Sequence, residues 1–236
     1  MTPSARRIAR RAVLSIAGLA ATLTAVVGFA HTKPGRPLLA WMGGKSKAGV
    51  CPLGYGAAQT PEQKEAARRR FAALHAGEAL AAARPALGFA LEATTRDDVA
   101  AWAKASGARC EAPRSGPDLD CTGVPDAALP APFRGTPIAD VWLTFGPKDT
   151  LATVIVVRSS PDLQAVSATY RAITAALTEQ AGPPDATKGD PATDLAEGPL
   201  QQAHAEYRFR DYYAIVRATS MSDGFVLTEE YRALPR

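Results

Sequence analysis

The stretch "IADVWLTFGPKDTLATVIVVRSS", residues 138–160, decides the fold class. Val141, Leu143 and Phe145 alternate with Trp142 and Thr144, a period of two that sends one set to each side of a strand. The turn "GPKDT" leads into Leu151–Val157, a run rich in β-branched residues. Two strands joined by so short a turn form an antiparallel hairpin. The period then changes. In "SPDLQAVSATYRAITAALTEQAG", residues 160–182, Leu163, Val166, Tyr170, Ile173 and Leu177 step by three and four, the stripe of a helix laid on a core. Gly182 and Pro183-Pro184 stop it.

Working outward, residues 185–200 are polar and turn-rich and read as an exposed loop. Three strands follow over Ala203–Arg210, Tyr212–Thr219 and Phe225–Tyr231. Toward the N-terminus, Thr95 with Asp98 opens a helix whose Val99, Trp102, Ala103 and Ser106 share a face; Gly107 ends it. A hairpin is expected near Ala108–Ala112 and Asp118–Thr122. An earlier helix opens at Thr60, with Pro61 in its first turn and Gln63 completing a capping box, and is expected to run to about Ala83. Its apolar stripe of Ala67, Phe71 and Leu74 is thin, which suits a stalk or a loosely docked element. The order helix, helix, four strands, helix, three strands is that of an α+β protein: an antiparallel sheet packed by helices. It is not the pattern of a nucleotide-binding α/β fold. "TRDDVAA" at 95–101 and "SSPDLQA" at 159–165 share a Ser/Thr, an Asp three residues on and the same apolar spacing, an echo that suits two tandem helix-plus-hairpin units.

"LGFALEATTRDDVAAWAKASGARC", residues 87–110, resembles the opening of small exported modules in which Gly-x-x-x-x-x-Thr leads a helix feeding an antiparallel sheet. The β-lactamase-inhibitor-like proteins, with tandem helix-sheet units, and the small outer-membrane-assembly lipoproteins share that plan. The resemblance covers Leu87–Arg236 and implies protein binding across an open sheet face. It carries no specific binding residue with it. The lipoprotein branch has a lipidation box near the N-terminus, which this chain lacks.

The charge is unevenly spread. Eight of the 27 basic residues and none of the 23 acidic ones fall in residues 1–50, leaving 51–236 with 19 basic against 23 acidic residues. The body is mildly acidic and offers no phosphate-tracking surface, which argues against nucleic-acid binding. The basic start has a targeting explanation. Arg6, Arg7, Arg10 and Arg11 precede Ala12–Ala30, nineteen residues without a charge. That length suits a membrane anchor through residues 12–30, with the arginines in the cytoplasm and the C-terminal domain facing the periplasm from the inner membrane. Gly28-Phe29-Ala30 also suits signal cleavage, which would leave a secreted or periplasmic protein. Either way the body is exported. The expected layout is a membrane or signal segment over 1–30, a juxtamembrane linker over 31–60, a stalk helix over 61–84 and an α+β domain over 85–236.

An oxidising compartment permits disulfides. Cys110 and Cys121 bracket the Pro-Gly-rich turn of "GARCEAPRSGPDLDCTG" and read as cross-strand partners, two buried thiols being the alternative. Cys51, in "GVCPLGYG", is left over. Four roles compete for it: lipid attachment, a Cys-Pro thiolate ligand to haem, an intersubunit bond that would make a homodimer, and an ordinary thiol packing the linker.

No chemistry announces itself. His31, His75 and His204 are scattered, with no His or Cys at metal-ligand spacing, and there is no Gly-x-Ser-x-Gly elbow or HExxH. The reading is therefore a non-enzyme without cofactors. In "HAEYRFRDYYAIVRA" the Tyr207, Arg208, Arg210 and Tyr212 group is the candidate interaction face. The competing reading has Glu206, Arg208 and Arg210 solvated on one face while Tyr207 and Phe209 fill the core on the other. The expected function is binding of an envelope protein by a membrane-anchored domain. The alternative is an exported binder of a small apolar ligand or haem, with Cys51 near the mouth of its cavity.

Overall fold

The computed structural model describes residues 60–113 and 118–235. The anchor segment 12–30, the linker to residue 59 and Cys51 lie outside the described residues.

The chain is α+β. Helix α1 (Pro61–His75) and a short hairpin, β1 (Pro85–Ala86) with β2 (Phe89–Ala90), precede two successive helix-plus-four-strand runs. The first run is α2 (Arg96–Ser106) with β3 (Arg109–Glu111), β4 (Leu119–Thr122), β5 (Ile138–Phe145) and β6 (Leu151–Ser160). The second is α3 (Leu163–Gln180) with β7 (Ala186–Lys188), β8 (Gln202–Arg208), β9 (Tyr212–Met221) and β10 (Gly224–Ala233). All eight strands join one antiparallel sheet in the order β3-β4-β5-β6-β10-β9-β8-β7. Each run is a meander, and the two meet edge to edge where β6 pairs with β10. The tandem arrangement thus lies inside a single sheet.

Local chemistry explains the helices. Thr95 caps α2: its hydroxyl accepts from the Asp98 N–H while the Asp98 carboxylate accepts from the Thr95 N–H, and Gly107 closes the helix in the left-handed region. Hydrogen bonds from Thr95 hold the Asp98 carboxyl below its usual pKa. The second half of the echo starts differently, because Asp162 and not Ser159 caps α3, accepting from the N–H groups of Gln164 and Ala165. Helix α1 has the expected capping box at Thr60 and Gln63 but ends at His75, short of Ala83. Tertiary contacts outcompete propensity there. Ala76 turns extended, and Gly77 passes so close to β8 that a Cβ would lie 2.1 Å from the Arg208 carbonyl oxygen. Residues beyond it pair elsewhere: the Arg210 N–H donates to the Ala79 carbonyl at 2.7 Å, and the Ala81 N–H to Asp211 Oδ1 at 3.1 Å.

The core lies on one face of the sheet, beneath α2 and α3. Val141, Leu143, Val154, Val156 and Leu227 meet Val99 of α2 and Val166, Ile173 and Leu177 of α3, all of them buried to zero exposure. At 25 cal/mol per Å², each such side chain contributes about 1.5–3 kcal/mol relative to exposure. Cys110 and Cys121 are directly opposite in the β3–β4 register and form a disulfide with Cα atoms 4.0 Å apart. The loop 185–200 is not wholly irregular, because three exposed residues in it pair with β8 as the edge strand β7.

Candidate interaction face

The strand register sorts every sheet residue to the inner, helix-covered face or to the outer one. Tyr207 and Tyr212 fall inside: both have zero exposure, and the Tyr207 hydroxyl donates to the Thr174 carbonyl of α3 at 2.9 Å. Burial pushes both phenols above their usual pKa. Arg208 points outward and Arg210 sits in the exposed β8–β9 turn. The four residues therefore do not make one surface. A period of two separates Tyr207 from Arg208, and the two tyrosines serve the core. His204 lies on the outer face of β8, and His75 on α1 stacks on Phe71 with ring centroids 4.3 Å apart.

Inside, the sequence alone did not reveal one constellation. Arg158 on β6 and Glu229 on β10 are both completely buried at the seam between the two meanders and form an ion pair through Nε. Arg158 Nη1 and Nη2 donate to the carbonyls of Thr136 and Phe133, each at 2.8 Å, and the Tyr231 hydroxyl donates to Glu229. Burial and the Glu229 charge drive the Tyr231 pKa well up. Every polar group of the pair is occupied, so this is a clasp fastening the 125–137 connection to the sheet. A usable signal existed in the alternation of Val154, Val156 and Arg158.

Outside, α1 crosses the strand ends from the β4 side to β8. Lys64 pairs with Asp118 just before β4, the Arg232 guanidinium of β10 stacks 4.3 Å over the Phe71 ring, and His75 Nδ1 lies 3.7 Å from Glu206 of β8. Phe71 and Ala72 pack on Tyr213, Ile215 and Leu234, so this helix is docked on the sheet. Charges under α1 are paired: Glu206 accepts from Arg208 at 2.8 Å and from Tyr213 at 3.0 Å. Burial raises the Glu206 pKa, but these donors and the Arg208 charge outweigh it and leave the carboxyl below its usual value.

Beyond α1 no helix among the described residues covers the outer face. One row across the strands runs Asp120, Trp142, Ile155, Glu230, Ile215 and Glu206, the last two meeting α1; the next runs Asp140, Val157, Thr228, Arg217, His204 and Lys188. Trp142 is 37% exposed, and Ile155 and Val157 are half-buried beside it. At the β4–β5 end, Glu111, Asp120 and Asp140 share the face. Burial, then the charges of Asp140 and Glu111, lift the Asp120 pKa, with the Trp142 indole N–H opposing. At the β7–β9 end sit Lys188, His204 and Arg217; burial, then the Arg217 charge, lowers the His204 pKa. Neither end has an ion pair among the described residues. Each end carries a buried polar atom without a hydrogen-bond partner among the described residues, Asp120 Oδ1 and His204 Nδ1, and so does the α1 contact, at Arg68 Nε, His75 Nδ1 and Arg208 Nε. The face is acidic at its β3–β5 side and carries Lys188 and Arg217 at the other, with Ile155 and Val157 between them and Glu230, paired with Arg232, on β10.

A cleft of about 570 Å³ beside the β5–β6 turn is lined by Arg68, Arg84, Glu65 and Glu92. Its guanidinium groups are already matched, Arg84 to Glu92 at 2.8 Å and Arg68 to Glu65 at 3.2 Å, and Lys148 is the remaining cation of its lining. No family model, curated protein or solved structure matches the chain.

Proposed function

We propose that this chain is an exported domain, tethered to the inner membrane by residues 12–30, that acts by binding another envelope protein across the outer face of its sheet around Trp142. The observation that carries the reading is the pairing pattern of charges. Charged groups beneath α1 form ion pairs within the chain, whereas Asp120 and Asp140 on one side of Trp142 and Arg217 and Lys188 on the other form none among the described residues. An unmatched buried polar atom costs about 1–3 kcal/mol, a cost that a docked partner removes. An exposed Trp beside half-buried aliphatic residues is the composition of an interface centre. The Cys110–Cys121 disulfide supports export, since such bonds persist in oxidising compartments. The function is binding without catalysis, and a face lined by strands supplies the rigid platform for it.

The test is site-specific photo-cross-linking in the intact cell. A cross-linking side chain at position 142 is expected to yield a discrete adduct with an envelope protein, and one at Leu200, which is 74% exposed in the loop before β8, is expected to yield none. Equal yields from both positions, or none from 142, would refute the reading.

A further inference from the structure

We propose that the partner presents an amphipathic helix, basic at one end and acidic at the other, laid across the strands beside α1. This rests on the reading above and specifies what the Trp142 face holds. Three features of the surface select that occupant.

The first is shape. Helix α1 already demonstrates that this face accepts a helix running across its strands, from Asp118 at the β4 side to Glu206 on β8. Residues on one face of a strand recur about every 6.7 Å, and packed helices lie about 8–10 Å apart. A neighbour of α1 therefore falls between the Trp142 row and the Asp140 row, the part of the sheet left open. The second is length. From β4 to β8 there are five strand spacings, about 24 Å, which a helix of about 16 residues spans. The third is charge. Along that line the face presents Asp120 and Asp140, then Ile155 and Val157, then Thr228 and Glu230, the latter already paired with Arg232, then Arg217 and Lys188. Its complement is a helix with Lys or Arg over the carboxylates, an apolar stripe over the centre, and Asp or Glu over the cations. The buried Asp120 Oδ1 and His204 Nδ1 lie at the two ends, where side chains of such a helix supply hydrogen bonds.

The probe is a fluorescent peptide of about 16 residues with lysines in one terminal third, a leucine stripe in the middle and glutamates in the other third, titrated against the full chain in nanodiscs. Wild-type protein is expected to bind it about tenfold more tightly than a peptide of equal composition with its charges interspersed. Asp120→Lys with Asp140→Lys is expected to reverse that preference toward a peptide carrying glutamates at both ends. Asp120→Asn with Asp140→Asn weakens binding without reversal and controls for folding. No binding, no preference for segregated charge, or an affinity indifferent to the lysine substitutions would overturn the helix assignment. Failure here alongside a cross-link from position 142 removes only the helix. Absence of that cross-link removes the underlying reading.

Discussion

The two faces of this one sheet solve the problem of polar groups in opposite ways. On the inner face a full ion pair, Arg158–Glu229, sits at zero exposure with carbonyls and a tyrosine hydroxyl completing its hydrogen bonds. On the outer face, half-buried Asp120 and exposed Arg217 stand near the open rows without an ion pair among the described residues. A group that folding itself has satisfied contributes to the fold. A group left unsatisfied on a rigid surface is available to something else. The contrast separates scaffold from site without reference to any relative.

The sharpest way to break the comparison is at the clasp. Glu229→Ala leaves a buried, uncompensated guanidinium and is expected to cost about 3–5 kcal/mol in urea unfolding. Replacing both partners, Arg158→Met with Glu229→Leu, is expected to restore most of that loss, because the cost comes from the orphaned charge. Next in size is the β3–β4 disulfide. Its reduction, or Cys110→Ser with Cys121→Ser, should lower stability by about 2–3 kcal/mol. Alkylation followed by intact-mass measurement should accordingly find Cys110 and Cys121 blocked until reduction. Thr95→Ala, which removes the cap of α2, is worth about 1 kcal/mol by the same unfolding assay.

The outer face gives smaller effects, and one of opposite sign. The folded-state pKa of Asp120 is raised, so the folded protein holds that proton more tightly than the unfolded chain. Stability from this group is therefore full at low pH and lost as pH rises through the folded pKa. Asp120→Asn is expected to raise the melting temperature slightly at neutral pH, with the gain vanishing below about pH 3.9, the ordinary aspartate value. Trp142→Ala should cost less than about 1 kcal/mol, as befits a side chain whose neighbours are half open to solvent. A large loss from Trp142→Ala would place that residue with the scaffold and collapse the distinction between the faces.

The sequence disclosed the elements better than it disclosed their surfaces. The strict alternation in residues 138–160 located β5 and β6, and the three-four stepping from Leu163 to Leu177 located α3, because both patterns are local. Strand β7 escaped: three exposed residues held only by pairing to β8 leave no hydrophobic trace. The period of two already separates Tyr207 from Arg208, and the buried side of that alternation is the one the core occupies. The charges around Trp142 come from strands β3, β4 and β5, and the opposing cations from β7 and β9. Only the register brings each set together, and register depends on the whole sheet. Arg158 and Glu229 lie 71 residues apart and meet solely because the second meander closes on the first.

The most direct measurement of the central claim pairs stability with binding in one variant. Asp120→Lys with Asp140→Lys, carrying a cross-linking side chain at position 157, is expected to unfold at a denaturant concentration no lower than that of wild type while losing the envelope adduct. A folded variant that keeps the adduct would contradict the account, since the outer face would then hold charges that nothing binds.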